Sequence, residues 1–311
     1  MRLGALWCAG MMALVLAACD GAGPAQQASG PDCASADLTS EQKIDVCSAA
    51  LEGGALDELA RADAFAERGT AKLEERQHTA ALADFNAALA IDRNHALALL
   101  GKARILTASG QIDAAEPLIA QLLTAHEREA EAYFLRGEAR AMQSDAAGAL
   151  EAYDAAISRA PRMAEAYAHR GRVKQGAEDF SGAAADYVTA LSIDAHNADA
   201  LAGRCWTRLQ QGGDVDAARR DAAAAASAEP GMLEAQVCLG LAYLRQERWS
   251  EARAAFEDAA RIAPGDASAL YGRGLARKRG GDRRQGDDDM DRAQELDSHV
   301  DGRFRAVGVR T

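Results

Sequence analysis

Cysteine, histidine and clustered aspartate are the residue types in this chain from which a metal site, a nucleophile or a cross-link would be built. The six histidines, His78, His95, His126, His169, His196 and His299, fall mostly near turns, and no two stand at His-x-x-His spacing. The six cysteines, Cys8, Cys19, Cys33, Cys47, Cys205 and Cys238, include no Cys-x-x-Cys pair. A structural zinc needs convergent ligands of this kind, and a nucleophilic thiol needs a base beside it. Asp287-Asp288-Asp289 is a run of three carboxylates, but it lies in a helical pattern and not in a glycine-containing loop of the sort that wraps calcium. The sequence therefore predicts no catalytic residue, no metal and no cofactor.

The elements that carry these residues repeat. In Leu233–Asp266 apolar residues recur at helical spacing through Leu239, Ala242 and Tyr243, then again through Ala252, Ala255, Phe256 and Ala259. Glu247-Arg248 separates the two runs, and Pro264 stops the second. Gly240 and Ala252 have almost no side chain, so two helices can approach closely there. One such pair cannot bury its own apolar face, and copies must stack. Leu239-Gly240, Tyr243, Ala252, Phe256 and Pro264, in this order and spacing, resemble the tetratricopeptide repeat, a helix–turn–helix unit of about 34 residues. The resemblance implies an all-α solenoid.

Units starting near Ala62, Ala96, Ala130, Ala164, Asp199, Leu233 and Ala267 share this register, with one additional residue in the Gln211–Asp214 turn. The small place of the second helix is Ala81, Ala115, Ala149, Ala183, Ala218, Ala252 and Gly286. Its bulky place is Phe85, Ile119, Tyr153, Tyr187, Phe256 and Met290, with Ala222 the exception. Pro117 falls inside the second helix of the Ala96 unit. Arg68, Arg170, Arg204 and Arg273 each face an aspartate at a fixed place, Asp84, Asp186, Asp221 and Asp289. This predicts an ion pair inside the repeat in preference to a basic ladder for a ligand. The expected organisation is a leader (1–18), a tether (19–36), a capping half-repeat (37–61), seven repeats (62–300) and a tail (301–311) whose Phe304 and Val307 could cover the last apolar face.

Composition narrows the function classes. With 49% hydrophobic residues the chain has ample material to bury, and only 5% aromatics argues for alanine-rich helix packing over a β architecture. A net charge of −12 disfavours nucleic acid, which needs a basic stripe.

Met1-Arg2 precedes the apolar run LGALWCAGMMALVLAA, too short for a comfortable transmembrane helix and of the length of an export signal. It ends in Leu16-Ala17-Ala18-Cys19, which resembles a bacterial lipobox. The resemblance implies cleavage before Cys19, a diacylglycerol thioether on its sulfur and a further acyl chain, such as palmitate, on its new amine; several chains together anchor firmly. Asp20 resembles the residue that retains enteric lipoproteins at the inner membrane, a rule that transfers poorly between bacteria, so both membranes stay open. In an exported chain Cys33 and Cys47 are candidates for a disulfide pinning the tether to the first helix, the alternative being a small apolar filler at Cys47. Cys205 and Cys238 fall in first helices of adjacent repeats, as a second bond or as two buried thiols.

In tetratricopeptide arrays the first helices line a concave wall along which extended or helical peptides lie. Mapped onto this chain, that wall takes in Arg104, Phe134, Arg172, Trp206, Val237, Leu244, Arg245, Tyr271, Lys278 and Arg279, with Leu97, Leu100, Glu138, Gln175, Ala202 and Gln210 beside them. Aromatics beside arginines are the usual anchors of a binding surface. The resemblance thus implies a lipid-anchored, periplasm-facing scaffold whose partners are proteins or peptides of the cell envelope. The alternative is a structural or self-associating scaffold without a peptide groove.

Overall fold

The computed structural model describes Cys33, Ser35 and residues 37–310, apart from 126–127. The expected leader and the lipid-bearing Cys19 lie outside the described residues. Among them the chain forms sixteen α-helices and no strand. α1 (Ser40–Glu52) stands alone. Seven antiparallel pairs follow: α2 (Glu58–Glu74) with α3 (His78–Ile91), α4 (Ala96–Ala108) with α5 (Ile112–Ala125), α6 (Glu129–Met142) with α7 (Ala146–Arg159), α8 (Ala164–Gly176) with α9 (Phe180–Ile193), α10 (Ala198–Gln210) with α11 (Val215–Ala228), α12 (Leu233–Arg245) with α13 (Trp249–Ile262), and α14 (Ala267–Arg279) with α15 (Arg283–Leu296). α16 (Val300–Ala306) closes the stack. Each pair packs on the next, so the fold is an all-α solenoid.

The turns explain the register. Within each pair one residue turns left-handed: Arg76, Gly110, Ser144, Glu178, Gly212, Glu247 and Gly281. A capping place follows at once in every unit but the fifth, where Gly213 intervenes before Asp214 caps α11. That glycine is the additional residue seen in the sequence. Side-chain caps start several helices: Asp57, Asp145, Asp179, Asn197, Asp214 and Asp266 each accept from the backbone N–H three residues on. Thr39 and Gln42 form a reciprocal capping box on α1.

Glycine seams set the spacing of the pairs. The Phe85 ring lies between Gly69 of its own pair and Gly101 of the next, Tyr187 between Gly171 and Gly203, and Phe256 between Gly240 and Gly272. A methyl placed on Gly101, Gly203 or Gly272 would come within 2.2 to 2.3 Å of the ring. In the fifth unit Cys205 and Cys238 hold the two glycine places and Ala222 the ring place. The two sulfurs are joined in a disulfide with the Cα atoms 6.5 Å apart, so a cross-link fills the seam.

The arginine–aspartate pairs form as expected. Arg68 grips Asp84 with Nε at 2.8 Å and Nη2 at 2.7 Å, and Arg170, Arg204 and Arg273 repeat the fork on Asp186, Asp221 and Asp289. A second cation one turn further, Lys72, Lys174, Arg208 or Arg277, joins each carboxylate. These arginines are consumed inside the repeats.

At the N-terminal end the Cys33–Cys47 bond expected from the sequence is absent. Both are free thiols; Cys47 is fully buried and Cys33 half-buried. Burial, then the Cys33 contact, pushes the Cys47 thiol far above its ordinary value. Cys47 thus acts as the small apolar filler between α1 and α2.

Candidate functional site

The first helices present residues at the same phase in successive units, and this phase builds the concave wall. The ten wall residues expected from the sequence do not share one groove.

Arg172 and Trp206 come together in the middle. Arg172 is exposed and Trp206 half-buried, and both line a cavity of about 370 Å³ between α8, α10 and the start of α12. Gln175, Asp199, Gln210 and Glu234 add polar groups to its lining. The Gln175 carbonyl oxygen accepts from Tyr187 at 3.0 Å and from Thr207 at 3.2 Å, which orients the amide group. Gln210 carries the opposite polarity: its buried Oε1 has no hydrogen-bond partner. Gln210 Oε1 is thus shielded behind the lining and does not itself face the cavity.

Beside this cavity Glu138, His169, Arg172 and Asp199 form a charged cluster. His169 Nδ1 lies 3.5 Å from Glu138 and its Nε2 lies 3.7 Å from Asp199, whose other oxygen is 3.7 Å from Arg172. Burial pushes the Glu138 carboxyl up against the pull of His169, Arg104 and Arg172, while the His169 hydrogen bond holds Asp199 below the usual range. Two carboxylates with displaced titration beside a histidine can orient a cationic or amide group. Among the described residues no set of three His, Cys, Asp or Glu is placed to hold a metal ion.

Phe134 is a correction. Its ring is 6% exposed and turns inward against Tyr153 at 5.9 Å and His169 at 5.0 Å, since the third seam has histidine in place of the second glycine and the ring fills the remaining space. Arg104 lines a separate cavity of about 580 Å³ near the N-terminal end with Leu73, His78 and Ile105. Lys278 is also displaced from the wall: it pairs with Asp287 of α15 at 2.7 Å.

Val237, Leu244 and Tyr271 are corrected for a different reason. They do lie on the first helices, but they are 4%, 4% and 2% exposed: Phe304 of the tail packs on Tyr271, Val309 lies beside Leu244, and Val237 is enclosed in the same core. Arg245 and Arg279 flank the covering segment and line a third cavity, of about 480 Å³, with Gly308 and Arg310. The sequence places Phe304 and Val307 over the last apolar face; it gives no sign that the segment reaches back as far as α12. The unfilled Gln210 acceptor was equally hidden, because satisfaction of an amide depends on neighbours from other units.

Comparison with known proteins agrees with this geometry. Tetratricopeptide repeat family models match residues 72–138, 207–267 and 238–282. Among solved structures, a chain of the APC/C hetero-tetramer Cut9-Hcn1 superposes with a TM-score of 0.70 at 12% identity, over 87% of this chain and 52% of that one. A tetratricopeptide repeat protein from Parabacteroides merdae gives a TM-score of 0.52 at 15% identity, over 79% of this chain and 98% of its own. At such identities the likeness is one of fold. No curated protein matches the sequence at a significant level. From the repeated seams, the stacked pairs and the family models together, this chain is a solenoid of tetratricopeptide repeats.

Proposed function

We propose that this protein is a lipid-anchored, periplasm-facing scaffold that holds an extended segment of a client protein across its central groove. Tetratricopeptide solenoids are protein–protein interaction scaffolds and typically not enzymes. The observation that carries the finer reading is the half-buried Trp206 ring beside the exposed Arg172 in the lining of the central cavity. Trp206 offers apolar area, and Arg172 and Asp199 give orientation. The Cys205–Cys238 disulfide supports an oxidising compartment, where such bonds persist. The Leu16–Cys19 motif supports anchoring at Cys19.

The test is cross-linking in cells followed by capture of wild type beside Trp206→Ala/Arg172→Glu. Clients that depend on the groove should fall at least about tenfold in the variant, as loss of an aromatic anchor implies. Recovery of every client in equal amount would remove the groove assignment. Mass spectrometry of the mature N-terminus tests the anchor independently: an unmodified residue other than Cys19 at the start would end that part of the reading.

A further inference from the structure

The end of the chain is held as a ligand would be. Phe304 stands 4.9 Å from Tyr271 and 6.1 Å from Phe256, and Val307 and Val309, 1% and 5% exposed, continue along the same wall toward Leu244. Gly308 turns left-handed at φ 76°, which carries the backbone past the Arg245 guanidinium. A short helix with an aromatic anchor, then valines three and five residues on, thus lies in a groove of first helices, the arrangement by which grooves of this kind take amphipathic peptides.

The fit is poor at its far end. Arg310 of the tail meets Arg245 and Arg279 of the wall around one cavity, where Glu247 is the one acidic side chain among the described lining residues. Arg245 donates to the Leu209 carbonyl at 3.2 Å, and among the described residues none of the three guanidiniums has an ion pair. Like charges placed together in a half-enclosed site weaken a contact and leave it open to displacement by a better-matched segment.

We propose that residues 300–310 are a built-in stand-in for a client, and that the α12–α14 wall is a peptide site for segments of the pattern Phe-x-x-Val-x-Val followed by Asp or Glu. Such a segment keeps the three apolar anchors and replaces the mismatched Arg310 with a carboxylate facing Arg245 and Arg279. The tail must leave first, so the apparent affinity for any client is reduced by the fraction of chains with the tail released. This site is separate from the central cavity and does not depend on the reading of Trp206.

The experiment uses a fluorescent synthetic peptide of residues 299–310, the full chain and its full-length Phe304→Ala variant. The variant should bind the peptide at least about tenfold more tightly than wild type, since its own tail competes less. Equal affinity, or no binding by a variant that keeps its helical signal, overturns the proposal. Should Phe304→Ala not fold, Val307→Ser gives the same comparison. A peptide carrying Arg310→Asp should bind about fivefold more tightly than the natural one, an advantage lost in high salt and in Arg279→Glu; equal affinity of the two peptides overturns the acidic class. A wild-type dimer that becomes monomeric on Phe304→Ala would show the tail seated in a second copy, and overturns self-occupancy.

Discussion

Cys205 and Cys238 occupy the two places that glycine holds on either side of Phe85, Tyr187 and Phe256, and they are bonded across the space where Ala222 supplies no ring. Three departures from the repeat are therefore one substitution: a covalent bridge for an aromatic wedge. The bridge joins α10 to α12, as Tyr187 joins α8 to α10 through Gly171 and Gly203.

Breaking the bridge should loosen the solenoid at this seam. With the cysteines 33 positions apart, loop-closure reasoning gives about 3–4 kcal/mol for Cys205→Ala/Cys238→Ala. Restoring the wedge with Cys205→Gly/Ala222→Tyr/Cys238→Gly should return at least half of it. Urea unfolding of the three proteins measures this; a triple variant no more stable than the double would refute the equivalence.

Two glycines of the same helix pattern should respond oppositely to alanine. A methyl on Gly101 would sit 2.2 Å from Phe85, and overpacking of this kind costs about 1–3 kcal/mol. Gly176 ends α8 with nothing within 4 Å of an added methyl, so Gly176→Ala should be neutral or stabilising by up to about 1 kcal/mol. Thermal melts of both variants decide it.

Acid should open the first repeat through Asp84. Burial by itself would raise this carboxyl, but hydrogen bonds from Arg68 and Lys72 outweigh it and hold the group below the ordinary 3.8. A depressed folded-state value contributes stability that is fully present above 3.8 and is lost as pH falls below it, through the folded value. Asp84→Asn should remove that dependence and cost about 3 kcal/mol, because it leaves two half-buried cations without a counter-charge. Hydrogen exchange in α2 and α3 between about pH 5 and about pH 2 follows the loss; identical profiles for wild type and variant would contradict it.

Phe304→Ala should act locally. Removing a buried phenylalanine ring costs about 3–5 kcal/mol, and in a stack each unit feels only its neighbours. Hydrogen exchange should accelerate from α12 to α16 and stay unchanged from α2 to α5. Uniform acceleration along the chain would mean a single cooperative core.

The sequence by itself determined the repeat, its register and the internal ion pairs, because these rest on contacts between residues about 12 to 35 positions apart that recur in every unit. The Arg68–Asp84 fork and the Phe85 seam were both legible there, while the second cation at Lys72 was hidden by the variation between lysine and arginine at its place. Only the tertiary structure decided which wall positions remain free. Phe134, Val237, Leu244 and Tyr271 have the phase of groove residues, yet Phe134 fills a seam, Val237 is enclosed in the core, and the tail lies over Leu244 and Tyr271. It also left Cys33 and Cys47 as free thiols and joined Cys205 to Cys238. Periodicity fixes the direction in which a side chain leaves its helix; what it meets there is set by segments that do not repeat.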